Sequence, residues 1–171
     1  MRVIKNFFAI SNDKVGDYDQ LSALHTITEK IQKKQGVNSV LSLTNLPLLS
    51  VDHSLRKFSV NRLFSDTIKD QADLDKVLNN FYSQPFYKDL INTGDNKITT
   101  LMIELDEQII KTPERKQLID SIKYLVDEYA KQYHSETYFS GLPYIRIQDS
   151  VMVAAEIKNF IFLAFKKCCF A

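Results

Sequence analysis

Residues 98–105 read Ile-Thr-Thr-Leu-Met-Ile-Glu-Leu and carry the clearest strand pattern in the chain. Apolar side chains at Leu101, Ile103 and Leu105 alternate with the residues between them, which is the period of a β-strand that buries one face. The alternation predicts a strand with these three side chains towards a core. Glu104 is predicted on the opposite face, towards solvent.

Strands and amphipathic helices alternate on both sides of this strand. Asp17 or Asp19 can cap a first helix, and Gly36 stands where a left-handed residue ends one. Thr112 as the cap and Pro113 at the first helical position predict the start of a second long helix. The predicted elements are a strand over 1–10, a helix over 17–35, a strand over 37–43, the strand over 98–105, a helix from 113 and a strand over 136–140. This order predicts an α+β, ferredoxin-like split βαβ fold, in which two helices back an antiparallel four-stranded sheet.

An insertion at about 45–85 separates the second predicted strand from the third. Residues 44–70 show no sustained period and are interpreted as irregular, whereas residues 72–83 have the apolar spacing of a helix. Residues 86–91 predict a short strand that forms a hairpin with residues 98–105. We also expect the insertion to form an apolar cleft that binds hydrophobic probes weakly. The apolar residues that motivate this expectation include Leu48, Leu49, Phe58, Phe64 and Phe81.

A last helix is predicted from Pro143 into the 160s, after the break at Gly141. Its end is apolar from Phe160 to Phe165 and is followed by Lys166 and Lys167. This run is far shorter than the roughly 20 residues that a membrane-spanning helix needs. Two interpretations stay open: the helix packs Phe160, Ile161 and Leu163 on the core, or these residues are the first turns of a transmembrane helix.

Length and charge limit the classes of function. At 171 residues the chain is long enough for one domain with a proper core. It has 22 Lys and Arg against 21 Asp and Glu, a net charge of +1, and it lacks the clustered positive charge expected of a nucleic-acid-binding protein. Its two cysteines, Cys168 and Cys169, are adjacent and cannot form a disulfide framework.

Side chains that could act in catalysis or bind a metal are present, but they do not form a known pattern. His25, His53 and His134 have no second ligand at metal-binding spacing, and Ser140-Gly141 lacks the rest of a nucleophile elbow. The four glycines stand alone, so no phosphate-binding loop is indicated. The carboxylate pairs Glu104 with Asp106 and Asp127 with Glu128 are expected on solvated faces. The sequence predicts no catalytic residue, no cofactor-binding residue and no metal ligand, and therefore a protein that is not an enzyme.

Aromatic residues are dense in the C-terminal half of the chain. They are Tyr124, Tyr129, Tyr133, Tyr138, Phe139 and Tyr144. Such residues favour ligand and partner surfaces, so a shared hydrophobic pocket is one interpretation. The other is ordinary packing of the second long helix against the last strand.

Three stretches, in this order, resemble one known family. They are residues 36–46, Gly-Val-Asn-Ser-Val-Leu-Ser-Leu-Thr-Asn-Leu; residues 83–91, Ser-Gln-Pro-Phe-Tyr-Lys-Asp-Leu-Ile, with a Gly94-Asp95 turn; and residues 139–146, Phe-Ser-Gly-Leu-Pro-Tyr-Ile-Arg. Their order, over most of residues 1–165, resembles the extracytoplasmic loop between the first and second membrane helices of resistance-nodulation-division (RND) exporters, particularly the MMPL-type members. The resemblance implies a ferredoxin-like porter domain, in agreement with the fold predicted above from the residues alone.

The resemblance also implies a role. The chain would be the periplasmic porter domain of an inner-membrane exporter of lipids or hydrophobic compounds, in contact with other porter domains and membrane helices of the same transporter. It would comprise a porter-like domain over 1–142 and, over 143–171, a stem helix and the truncated start of a transmembrane helix. It would then be a fragment or the product of an interrupted gene, and none of the family's proton-relay carboxylates falls within it. The alternative is a free-standing ferredoxin-like module that binds a small regulatory ligand, and self-association into a homo-oligomer stays open.

Overall fold

An antiparallel sheet of four strands forms the centre of the protein in the computed structural model, which describes residues 4–11, 16–52, 57–64, 68–82 and 97–169. The elements are β1 (Ile4–Ser11), α1 (Tyr18–Gln32), β2 (Val37–Leu41), a 3-10 turn (Leu43–Asn45), β3 (Pro47–Asp52), β4 (Lys57–Arg62), α2 (Gln71–Tyr82), β5 (Ile98–Leu105), α3 (Glu107–Ile110), α4 (Glu114–Gln132), β6 (Glu136–Ser140) and α5 (Leu142–Cys169). The sheet has the order β2-β5-β1-β6, and β3 pairs with β4 in a separate hairpin. This strand order, with α1 and α4 as the two connecting helices, confirms the predicted α+β, ferredoxin-like fold.

The sheet has one covered face and one open face. Phe8 on β1 lies opposite Leu101 on β5 and Phe139 on β6, so these three residues share a face. Lys123 of α4 stands over the Phe139 ring at 4.6 Å, which identifies this face as the one that the helices cover. Leu101 and its alternate neighbours on β5 are buried there, as the alternation predicted. On the open face, Glu104 accepts a hydrogen bond from Ser39 Oγ at 3.1 Å.

The predicted ends of the first helix are partly corrected. Asp17 is the cap, because its side chain accepts hydrogen bonds from the backbone N–H groups of Asp19 (3.0 Å) and Gln20 (3.3 Å). The helix ends at Gln32 rather than at Gln35, with Lys33 as its C-cap. Gly36 has a φ of 91° and forms the turn into β2, so its left-handed conformation is as expected although it lies beyond the cap.

The insertion contains more regular structure than its sequence suggested. The prediction of an irregular segment over 44–70 is wrong, because β3 and β4 form a paired hairpin there. The signal was present in β4, where Phe58 and Val60 alternate with polar residues, and Pro47 is tolerated as the first residue of a strand. The helix predicted over 72–83 is confirmed as Gln71–Tyr82. The strand predicted over 86–91 lies outside the described residues.

Packing of the insertion corrects the expectation of an apolar cleft. Leu63, Phe64, Leu74 and Phe81 are buried in the same cluster as the central strands. Phe64 and Phe81 are therefore core residues rather than the lining of an open cleft. The side chains of Leu48, Leu49 and Phe58, which were expected beside them, lie outside the described part of the structure.

A buried polar network joins α1 to the start of the insertion. Thr28 Oγ1 donates to the carbonyl oxygen of Leu24 (2.7 Å) and lies at hydrogen-bond distance from Ser42 Oγ (3.2 Å), which in turn lies 2.9 Å from Thr44 Oγ1. All three hydroxyls belong to buried residues. The backbone N–H of Phe64 then donates to the Thr44 carbonyl oxygen at 2.9 Å. The network fixes the end of β4 against the outer face of α1.

Replacing Thr28 with valine tests the strength of this network. The substitution keeps the side-chain shape but leaves Ser42 Oγ without this hydrogen-bond partner in a buried site. We expect the free energy of unfolding to fall by about 1–3 kcal/mol, measured by urea denaturation. Thr26→Val is the matched control, because Thr26 Oγ1 makes the same kind of backbone bond (3.0 Å to Ser22) on the exposed side of the helix. Equal losses for the two variants would contradict a stabilising network.

The C-terminal half differs from the prediction at two boundaries. The second long helix, α4, begins at Glu114, so its N-cap is Pro113 and not Thr112 as predicted. A short helix that the sequence did not indicate, α3, precedes it and is capped by Asp106. The last strand, β6, lies at the predicted residues, and α5 follows it from Leu142. Among the described side chains of α5, Pro143 and Ile147 are buried and Tyr144 packs on the core, and all three lie in its first turns.

Candidate functional site

The described side chains that could act in catalysis or bind a metal lie on separate parts of the fold. His25 is on α1, His134 is exposed between α4 and β6, and His53 lies outside the described residues. Ser140 is exposed at the end of β6. Across the described part of the chain, no group of three or more His, Cys, Asp or Glu side chains is placed to hold a metal ion.

The carboxylate pairs take part in local structure. Asp106 accepts a hydrogen bond from the N–H of Gln108 at 2.8 Å as the cap of α3. Asp127 forms an ion pair with Lys123 at 2.6 Å and accepts a hydrogen bond from Thr137 Oγ1 at 3.2 Å, which ties α4 to β6. Glu128 accepts a hydrogen bond from the exposed Tyr124 hydroxyl at 2.8 Å. Each of these oxygens has a partner on the same element or the neighbouring one.

The aromatic residues of the C-terminal half do not line one pocket. Tyr129 and Tyr133 pack ring to ring at 4.9 Å and donate hydrogen bonds to carbonyl oxygens at the start of α1. Burial raises the pKa of Tyr133, and the nearby carboxylates of Asp19 and Asp17 add to that rise. This pair packs α4 against α1, not against the last strand.

The remaining aromatic residues lie on two other surfaces. The Phe139 ring contacts Phe8 edge-on at 4.9 Å and Tyr144 at 5.6 Å, inside the covered face. Tyr138 projects from the open face of the sheet, where a hydrogen bond to Glu136 raises the pKa of its hydroxyl. The interpretation of a shared hydrophobic pocket is therefore wrong, and packing accounts for the buried members.

A polar cleft lies between α1 and the insertion. It has a volume of about 180 Å³ and is lined by His25, Thr28, Glu29, Gln32, Lys33, Asn45 and Arg62. The Gln32 side-chain amide bonds to the edge of β2: its oxygen accepts from Val40 N–H (2.8 Å) and its nitrogen donates to the Asn38 carbonyl oxygen (3.2 Å). The Asn45 amide likewise bonds to the Val40 carbonyl oxygen at 2.6 Å and the Ser42 N–H at 2.8 Å. These bonds hold part of the lining in one conformation.

The charged residues of the cleft differ in whether they have an ion-pair partner. Glu29 lies 3.4 Å from Lys33 Nζ and 3.8 Å from His25 Nε2. The His25 ring packs on Phe64 at 5.3 Å, and its buried Nδ1 has no hydrogen-bond partner among the residues that the structure describes. Arg62, at the end of β4, makes no side-chain ion pair within the described residues and is exposed. The sequence predicts His25 on a helix but does not indicate Arg62, because residues 44–70 show no sustained period.

The second notable surface is the end of α5. Every residue from Val151 to Phe165 is exposed. Its last apolar run includes five large exposed side chains: Phe160 73%, Ile161 49%, Phe162 70%, Leu163 63% and Phe165 68%. The interpretation that this run packs on the core is therefore wrong.

Comparison with known proteins leaves the family open. No protein-family profile matches the chain, and no curated protein matches it either. No helix within the described residues combines the length and the apolar character that crossing a bilayer requires.

Proposed function

We propose that this chain is a porter-type domain of an RND-superfamily exporter of the MMPL type. It lies on the extracytoplasmic side of the inner membrane, contacts lipids or other hydrophobic compounds and carries out no covalent chemistry. One observation carries the proposal: α5 leaves the ferredoxin-like domain and carries six consecutive apolar residues, Phe160 to Phe165, all of them exposed.

The direction of the exposed side chains favours lipid over a single protein partner. Successive residues of an α-helix point about 100° apart, so the four residues from Phe160 to Leu163 point in four directions around the helix axis. A packed neighbour covers a stripe roughly 100° wide. Acyl chains surround an inserted helix and can cover all of these side chains at once.

The first half of α5 has a different surface. Between Ile147, its last buried residue, and Phe160 the exposed residues include Asp149, Glu156 and Lys158. This segment is about 20 Å long at 1.5 Å per residue, and its charges suit water rather than lipid. It would act as a stem that holds the domain above the membrane, with the boundary at Asn159.

The open face of the sheet supports contact with sister domains. Leu41, Met102 and Ala9 lie on it and are half-buried, and Tyr138 beside them is exposed. An antiparallel sheet with apolar residues on its second face can bury them against another layer. A neighbouring porter domain of the same transporter would provide that layer.

The exporter assignment is tested at the source locus. Reading the DNA on both sides of the codons for Met1 and Ala171, in all frames, should reveal an apolar segment of about 20 residues on each side. Membrane segments on neither side would overturn the assignment and would favour the free-standing binding module.

Membrane contact by α5 is tested by flotation of the full chain with vesicles of phosphatidylethanolamine and phosphatidylglycerol. A double substitution, Phe160→Asp with Phe162→Asp, should lower the partition coefficient at least about tenfold, because each carboxylate costs several kcal/mol to move into lipid. Met152→Asp is the control: Met152 is also apolar and exposed, but it lies in the stem and its substitution should leave flotation unchanged. The membrane part of the proposal fails if the wild-type chain does not float, or if the stem variant loses as much binding as the tip variant.

A further inference from the structure

The polar cleft between α1 and the insertion brings together basic side chains from distant parts of the chain. His25 lies on α1, Lys33 is the C-cap of that helix, and Arg62 lies at the end of β4. Among the lining residues that the structure describes, Glu29 is the only carboxylate, and Lys33 lies beside it at 3.4 Å. The charges of Glu29 and Lys33 cancel, so the Arg62 guanidinium gives the described lining a net positive charge.

We propose that this cleft binds a compact oxyanion, a phosphate or carboxylate group, with Arg62 as its principal contact and His25 as its second. A guanidinium group presents a planar fork of N–H donors that matches these anions. His25 Nε2 lies 3.8 Å from Glu29, beyond hydrogen-bond distance, so it is available to donate to a ligand. The packing of the His25 ring on Phe64 holds that nitrogen in place.

The size and lining of the cleft select a small polar ligand. Its volume of about 180 Å³ is below the roughly 300–1,000 Å³ of sites for drug-sized molecules. The lining residues that the structure describes are all polar or charged, which suits a small polar ligand. The Thr28, Gln32 and Asn45 side chains are already held by internal hydrogen bonds, which limits the reorganisation that binding would require. This proposal does not depend on the exporter assignment.

The test uses isothermal titration of the full chain in a non-ionic detergent with inorganic phosphate, glycerol phosphate and acetate. We expect saturable binding of at least one of these anions, with a dissociation constant that rises about tenfold or more in Arg62→Gln. Arg146→Gln, an exposed arginine on α5, is the matched control and should bind as the wild type does. Tighter binding of glycerol phosphate than of inorganic phosphate would identify a lipid-type headgroup, and the reverse would identify a free anion.

A second measurement does not depend on any variant. In NMR spectra of the wild-type chain, the anion should shift the imidazole resonances of His25 and leave those of the remote, exposed His134 unchanged. The proposal is overturned if none of the three anions binds saturably at millimolar concentration. It is also overturned if Arg62→Gln binds with the wild-type constant, or if His25 does not respond to a saturating anion.

Discussion

Replacing Leu101 with alanine is expected to lower the free energy of unfolding by about 2–5 kcal/mol. Leu101 is fully buried on β5, which lies between β1 and β2 in the sheet, and Phe8 lies opposite it. Truncation removes buried methyl groups from a site where neighbours on both sides are held by strand pairing, so the cavity can collapse only in part. Urea denaturation followed by circular dichroism measures the loss.

Thr100→Ala, at the preceding residue of the same strand, is the control for Leu101→Ala. Thr100 lies on the open face opposite Ala9 and is half-buried, so its truncation should cost less than about 1 kcal/mol. Similar losses at the two positions would mean that the covered face is not the centre of the core.

Replacing Gly36 with alanine is expected to cost about 2–4 kcal/mol. The φ of 91° is in the range that L side chains rarely adopt, and an added Cβ would lie 2.6 Å from Ile109 Cδ1 and 3.0 Å from Leu118 Cδ2. Movement of Gly36 is restricted, because its carbonyl oxygen accepts a hydrogen bond from the N–H of Asp106 at 2.9 Å. The backbone strain and the crowding should therefore add, and thermal and urea unfolding would measure their sum.

Two further variants separate these causes. Gln35→Ala changes the neighbouring exposed residue and should alter stability by less than about 0.5 kcal/mol. Ile109→Val, added to Gly36→Ala, removes the nearest methyl group and should restore the part that arises from crowding. No recovery would assign the whole loss to the backbone conformation, and a Gly36→Ala variant as stable as the wild type would refute both causes.

The ferredoxin-like arrangement could be predicted because its signals are local. The alternation over 98–105 and the turn at Gly36 each lie within a few residues, and both are found where they were expected. The hairpin of β3 and β4 was missed although Phe58 and Val60 carry the alternation, because a six-residue strand gives little periodic signal on its own. Phe64 and Phe81 could not be assigned to the core from sequence, since an apolar residue in an insertion can equally line a surface.

The candidate sites depended on the tertiary structure. Arg62 and His25 are far apart in the chain, and only the pairing of β3 with β4 brings Arg62 to the outer face of α1. The apolar run at the end of α5 was visible in the sequence, but the two interpretations of it differed in whether the core covers it. The structure decided that point, because contact with the core ends at Ile147.

The sequence by itself determined the order and type of the main elements and the absence of any known catalytic pattern. These properties depend on side-chain periodicity, caps and spacing, which neighbouring residues set. Only the tertiary structure decided that Phe64 is a core residue, that Arg62 faces α1 and that Phe160 is exposed. Each of these outcomes depends on which distant surfaces pack together, and packing is a property of the whole chain rather than of any local stretch.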